Sequence, residues 1–170
     1  MEINIAAALK NIGATYAFSG ELAVERQTYL GRELEFMGPV QVGGAYVFDG
    51  KLFTVTGTIE ASLNSVCARC GEDFTEAIAC AFSERLEKAP ERPDERETYA
   101  YEGERITLDD AVMDNLYLNL PIASVCREDC RGLCPICGVN RNTIQCDCRA
   151  ADVKTPFADL KKLSNEHKEV

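Results

Sequence analysis

Between residues 53 and 64 apolar and polar positions alternate: Phe53, Val55, Ile59, Ala61 and Leu63 fall on one face, and Thr54, Thr56, Thr58, Glu60, Ser62 and Asn64 on the other. Successive side chains of an extended strand point to opposite sides of a sheet. This segment therefore predicts an antiparallel strand with one face buried and the other in water. The apolar run Ala45, Tyr46, Val47, Phe48 precedes it, and the Asp49-Gly50 pair between them has the turn chemistry of a hairpin. After Cys70 the period of two resumes, with Phe74, Ile78, Cys80, Phe82 and Leu86 in phase. Three strands thus form a meander, turned by Asp49-Gly50 at one end and by Cys67-Ala68-Arg69-Cys70-Gly71 at the other. Residues 15–18 and 32–36 are candidates for further short strands.

The pattern changes towards the C-terminus. Residues 89–98 (APERPDERET) are charged, hold two prolines and show no apolar period, which predicts a solvated loop. A helix is expected over 108–118, near 107–119 with its caps: Thr107 as N-cap, Asp109 and Asp110 at the positive end of its dipole, and Pro121 as its stop. Its apolar stripe, Leu108, Ala111, Val112 and Leu116, should lie on the sheet. Thr155-Pro156 opens a second short helix, with Phe157, Leu160 and Leu163 along one side. The fold class expected is α+β: an antiparallel β-meander or partial barrel with one packed helix and a C-terminal cysteine-rich zinc module. The body would occupy residues 1–120, the zinc-binding module 121–150, and a helix with its tail 151–170.

A chain of 170 residues, 46% hydrophobic, can bury one core with a small appendix. No apolar run approaches the roughly eighteen residues of a membrane helix. The opening MEINIAAALKNIG lacks a basic stretch followed by an apolar one, and so predicts no secretory signal. Cytoplasmic residence is the expectation. Nine cysteines in a reducing compartment then point to metal rather than disulfides. The net charge of −10 excludes a generally basic nucleic-acid binder. The charge is uneven, with 4 basic and 7 acidic groups in residues 1–66, 6 and 14 in 67–125, and 8 and 7 in 126–170. Any contact with nucleic acid should be local and confined to the last quarter of the chain.

Six cysteines run as Cys126-x3-Cys130-x3-Cys134-x2-Cys137-x8-Cys146-x-Cys148, and Cys67-x2-Cys70 brings the number to eight. Cys80 stands apart because it is in phase with the apolar face of its strand, where a free thiol behaves as a small hydrophobe. Eight thiolates divide into two closed tetrahedra, which suits two structural zinc ions. In Cys134-Pro135-Ile136-Cys137-Gly138 and Cys67-Ala68-Arg69-Cys70-Gly71, the two-residue spacing lets both sulfurs meet one ion. The following glycine lets backbone amides approach the thiolates. An iron–sulfur cluster also takes four thiolates. A thioredoxin-like redox pair would need a helix N-terminus beside its nucleophile, whereas Cys67 and Cys70 join two strands. Closing short loops costs less entropy, which favours Cys134, Cys137, Cys146 and Cys148 as one site and Cys67, Cys70, Cys126 and Cys130 as the other. The rival arrangement, a zinc ribbon, groups Cys67 and Cys70 with Cys134 and Cys137. Either arrangement fastens the last quarter of the chain to the strand meander.

With these residues in view, the chain resembles the YceD-like family. The resemblance rests on the early Cys67-x-Arg69-Cys70 turn, the helix ending in Leu120-Pro121, and Gly132-Leu133-Cys134-Pro135-x-Cys137-Gly138-x-Asn140-x-Asn142. The chain departs from the family pattern at Gly71, where leucine is common, at Arg141, and at Lys154-Thr155-Pro156-Phe157. The resemblance implies a part in accumulation or processing of large-subunit ribosomal RNA, and no catalytic activity.

The residues agree with a protein that is not an enzyme. His167 is the single histidine and lies in a polar tail. Asp109, Asp110 and Asp114 could be taken for a magnesium site, but the first two serve the helix dipole. Arg127, Arg131, Arg141 and Arg149, with Asn140 and Asn142, are the candidate RNA-binding residues, and Lys154, Lys161 and Lys162 lie beyond. The acidic stretch 84–104 could instead attract a basic ribosomal protein. Three function classes follow: a zinc-stabilised ribosome-biogenesis factor, which is favoured, an iron–sulfur or thiol redox protein, and a zinc-ribbon protein-interaction module.

Overall fold

The computed structural model describes residues 1–89 and 99–148. In chain order the elements are β1 (Glu2–Asn4), α1 (Ala6–Lys10), β2 (Thr15–Leu22), β3 (Gln27–Tyr29), β4 (Arg32–Phe36), β5 (Val40–Phe48), β6 (Leu52–Val66), β7 (Asp73–Lys88), β8 (Tyr99–Tyr101), β9 (Arg105–Thr107) and α2 (Asp109–Leu118). The chain divides into two compact units. The first is Met1–Ser65 with Asp73–Ser124, and the second is Val66–Glu72 with Val125–Val170.

The first unit is mostly antiparallel sheet with few helices, a mixed α+β fold. Its main sheet runs β2-β5-β6-β4-β3, with β7 paired to β6 and β8 to β7. The β5–β6 hairpin forms where the Asp49-Gly50 pair predicts it, with Phe48 opposite Phe53. The Asp49 carboxylate fixes the turn by accepting the Lys51 and Leu52 backbone N–H groups, each at 2.7 Å. Along β6 the alternation is as read: Phe53, Val55, Ile59, Ala61 and Leu63 are buried. On β7 Ile78, Cys80, Phe82 and Leu86 are buried in the same core, while Phe74 is half-buried. Residues 15–18 and 32–36 do lie in strands, β2 and β4, and β2 extends four residues further.

Helix α2 lays Ala111, Val112 and Leu116 into the core, with Leu108 beside them, as its stripe predicts. Its N-cap differs from expectation. Thr107 stays in β9, paired with Glu2 of β1, and Leu108 takes the cap position with no side-chain hydrogen bond. The ladder holds Thr107 one residue too early to cap. The helix ends at Leu118, before Pro121. The sheet is not a pure meander either, because β8 joins β7 in parallel, Leu86 opposite Tyr99. Of the charged loop expected at 89–98, only Ala89 lies within the described residues, and the second helix at 155–163 lies outside them. No helix among the described residues is long and apolar enough to cross a membrane.

Candidate metal centres

The second unit is built around two turns of one design. In the first, the Cys67 N–H donates to the Glu72 carbonyl at 2.9 Å and the Gly71 N–H to the Cys67 carbonyl at 2.8 Å. In the second, the Cys134 N–H donates to the Val139 carbonyl at 2.8 Å and the Gly138 N–H to the Cys134 carbonyl at 2.9 Å. Each turn must reverse the chain while keeping both sulfurs on the same side. This takes a left-handed residue, and Gly71 and Gly138 supply it at φ +73° and +74°. Strands β6 and β7 run into and out of the first turn, and an isolated bridge between Leu133 and Asn140 brackets the second.

The eight sulfurs fall into two groups, Cys67, Cys70, Cys126 and Cys130, and Cys134, Cys137, Cys146 and Cys148, each with all its Sγ atoms within 4.8 Å of one another. This is the division that loop closure favours, and the zinc-ribbon grouping of Cys67 and Cys70 with Cys134 and Cys137 is not formed. Within the first tetrad Cys67 and Cys130 are 3.8 Å apart, and Cys70 and Cys126 3.9 Å. A tetrahedral ion with bonds of about 2.3 Å to sulfur sets its ligands about 3.8 Å apart. The residues therefore fit a single tetrahedral metal ion. None of the nine cysteines is in a disulfide. Cys80 belongs to neither tetrad; it is 9% exposed in the sheet core, where burial pushes its thiol up.

The two tetrads differ in exposure. Three of four sulfur residues in the first are buried, while in the second Cys137 and Cys148 are exposed. In both, one thiol is prepared for ionisation and another is held back. Backbone amides, that of Cys126 foremost and then those of Cys70 and Arg69, pull Cys67 down to about 6. The amides of Cys137 and Ile136 do the same for Cys134, also to about 6. Burial, followed by the neighbouring thiols, pushes Cys126 up to about 12, and hydrogen bonding with Cys137 followed by burial does so for Cys148. Four negative sulfurs cannot share so small a space unless a cation joins them.

Side chains around the first tetrad are tied inward. The Asn142 amide donates to Cys130 Sγ at 3.4 Å and to Asn140 Oδ1 at 2.9 Å, and the former contact pulls the Cys130 thiol down. Asn142 Oδ1 accepts the Arg131 N–H and the Arg127 guanidinium, both at 2.9 Å. Asn140 also donates to Glu72 at 2.9 Å. Arg127 pairs with Asp129 at 3.2 Å. Arg69, between Cys67 and Cys70, donates to the carbonyls of Glu128 and Cys130 at 2.9 and 3.2 Å. The Arg69 carbonyl accepts the Leu133 N–H at 2.9 Å. Gly132, at φ +66°, passes so close that a Cβ there would lie 2.8 Å from the Arg69 carbonyl oxygen.

The candidate RNA-binding residues are therefore not equivalent. Asn140, Asn142 and Arg127 spend hydrogen bonds inside the unit. Arg131 and Arg141 border a shallow depression with Ile144, Gln145 and Cys146. Arg149, Lys154, Lys161, Lys162 and His167 lie outside the described residues. The sequence reading missed Arg69 and Glu72 as parts of the site; the repeated Cys-x-x-Cys-Gly turn was the available signal for both. Of the three aspartates, Asp109 meets the Met1 amino group and Asp114 accepts the Tyr99 hydroxyl at 2.8 Å.

The family model described as "Large ribosomal RNA subunit accumulation protein YceD" matches residues 55–164, a span that holds all eight tetrad cysteines. An uncharacterized protein of Mycobacterium tuberculosis is 37% identical over 89 residues, which is 50% of this chain and 43% of that protein. An uncharacterized protein of Mycobacterium bovis matches to the same degree. An Arabidopsis thaliana protein described as "Large ribosomal RNA subunit accumulation protein YCED homolog 1, chloroplastic" is 24% identical over 158 residues, 75% of this chain and 49% of that protein. The chain thus spans less than half the length of these relatives. No solved structure matches it.

Proposed function

The chain belongs to the YceD family, and from that premise we propose that it is a zinc-binding ribosome-biogenesis factor. It supports accumulation of large-subunit ribosomal RNA by binding rather than by catalysis, in the cytoplasm. The observation that carries this reading is the coincidence of the family match over residues 55–164 with two complete cysteine tetrads inside it. Two zinc ions would be held by Cys67, Cys70, Cys126 and Cys130, and by Cys134, Cys137, Cys146 and Cys148. Zinc supplies structural cross-linking there, since four thiolates leave no position open for substrate. Sulfurs this close favour one ion per tetrad over a cluster of several irons, which needs its thiolates farther apart.

The partner in this reading is ribosomal RNA or a large-subunit precursor, with Arg131, Arg141 and Arg149 as its nearest contacts. A second reading is favoured by the inward hydrogen bonds of Asn140 and Asn142. In that reading a basic ribosomal protein meets the acidic residues 84–104 and the RNA is affected through it. Lysate sedimentation tests the common core of both: the protein should travel with large-subunit precursors. Depletion should lower mature large-subunit RNA relative to small-subunit RNA. Equal ratios in depleted and normal cells overturn the function.

A further inference from the structure

Four residues far apart in the chain meet in a polar network in the first unit, its serines buried and its charged pair half-buried. Glu76 Oε2 accepts the hydroxyls of Ser65 at 2.8 Å and Ser124 at 2.7 Å, and the Arg32 guanidinium at 3.2 Å. Arg32 also donates to Ser65 at 2.9 Å, to Ser124 at 2.7 Å and to the Pro121 carbonyl at 3.3 Å. Ser65 and Ser124 are each 4% exposed, and they are the buried polar residues of the described core. Apolar residues at all four positions would fill the space without desolvating two hydroxyls and a partly buried charge pair. The network needs an explanation beyond core stability.

The positions of its members supply one. Ser65 lies two residues before Cys67, and Ser124 two residues before Cys126. Glu76 stands on β7, four residues after the chain leaves the first turn at Glu72. The chain passes between its two compact units after Ser65, after Glu72 and after Ser124. The network thus holds the chain within four residues of all three passages, and two of those passages deliver metal-ligand candidates directly. Val66 and Val125 alone separate the fixed serines from Cys67 and Cys126. A site assembled from segments 56 or more residues apart in sequence must otherwise meet the loop-closure entropy each time an ion binds.

We propose that Arg32, Ser65, Glu76 and Ser124 form a clasp that pre-positions Cys67 and Cys126, and so sets metal retention at the first tetrad. These are positioning residues, and none touches a sulfur. The second tetrad draws its ligands from residues 134–148 alone and provides an internal control. The inference rests on metal occupancy as proposed above.

The test uses the full chain loaded with zinc and challenged with a chromogenic chelator. Each release phase is assigned from Cys126→Ser and Cys146→Ser chains. Ser124→Ala and Glu76→Ala should speed release from the first tetrad about tenfold or more, the scale on which residues behind metal ligands act. Release from the second tetrad should stay at the parent rate, and Ser124→Thr, which restores a hydroxyl, should recover most of the retention. Should Glu76→Ala fail to fold, Ser124→Ala with its Thr rescue decides alone. Parent-like release from the first tetrad, or equal acceleration at both tetrads, overturns the clasp while leaving the metal reading intact. A parent chain that takes up no metal overturns both.

Discussion

Replacing Asn142 separates hydrogen bonding to a thiolate from simple packing. Its amide donates to Cys130 Sγ at 3.4 Å, while its carbonyl oxygen accepts from the Arg131 backbone and the Arg127 side chain. Hydrogen bonds to charged groups contribute about 1.5–3 kcal/mol. Asn142 is half-buried, so the lower end applies, and Asn142→Ala should weaken zinc binding at the first tetrad about tenfold. Asn142→Asp keeps an oxygen for Arg131 and Arg127 but turns a carboxylate toward the sulfur. Two like charges about 4 Å apart at an effective dielectric near 20 repel by about 4 kcal/mol. Exposure and the gain at Arg127 reduce that, leaving a loss of roughly a hundredfold relative to the parent. Zinc competition at neutral pH measures both variants, with the second tetrad as reference. If the aspartate variant binds as tightly as the alanine variant, or if both tetrads weaken together, Asn142 acts by packing and the electrostatic argument fails.

Cys80→Ala should retain two zinc ions per chain by metal analysis, because Cys80 is a core residue, whereas Cys134→Ser should lose about half the metal. The loaded protein should be colourless; a brown protein would point to iron. Acidification should release metal, because protons compete with the ion for the thiolates, and the metal content measured across a falling pH series checks this. At neutral pH, uptake should expel protons from thiols such as Cys126 and Cys148, visible in a weakly buffered titration. Under chelator or peroxide the second tetrad should empty first, because Cys137 and Cys148 are exposed; mass spectrometry of trapped thiols gives the order. Neutralising Arg131, Arg141 and Arg149 together should abolish binding to an rRNA fragment while preserving zinc content. Parent-like binding would assign the contact to the acidic stretch instead.

What was legible in the sequence is what depends on short-range periodicity. The faces of β6 and β7 follow from a period of two maintained over long strands, and the stripe of α2 from helical spacing. The tetrad division was legible because it is the one that closes 134–148 on itself. Strands β1, β3, β8 and β9 are three residues each, too short to carry a period, and exist through their partners. Thr107 has the right chemistry for a cap, yet its pairing with Glu2, 105 positions away, cannot be read locally. The partners of Arg69 and Asn142 were hidden for the same reason. Arg69 reaches Glu128 and Cys130 across about sixty residues, and the role of Asn142 depends on where Cys130 comes to rest.

The same inward bonding narrows what an acidic chain can offer to RNA. Filling both tetrads adds eight thiolate charges and two divalent ions, so metal makes the net charge of −10 more negative, not less. Arg69 is committed to backbone carbonyls and Arg127 to Asp129 and Asn142. Arg131 and Arg141 share their depression with Cys146, so their charge would first offset the thiolates of a filled tetrad. Among the described residues of this unit little positive charge is left to reach phosphates, and a direct RNA contact through them would neutralise only a few. Its affinity should then fall gently with salt, in contrast to the steep loss of a binder with six to ten phosphate contacts. A basic protein partner faces no such shortage, because residues 67–125 hold 14 acidic groups against 6 basic ones. Its association would be driven by that surplus and would weaken with salt even when the arginines of the second unit are neutralised. Salt dependence measured with and without the arginines therefore distinguishes the two partners.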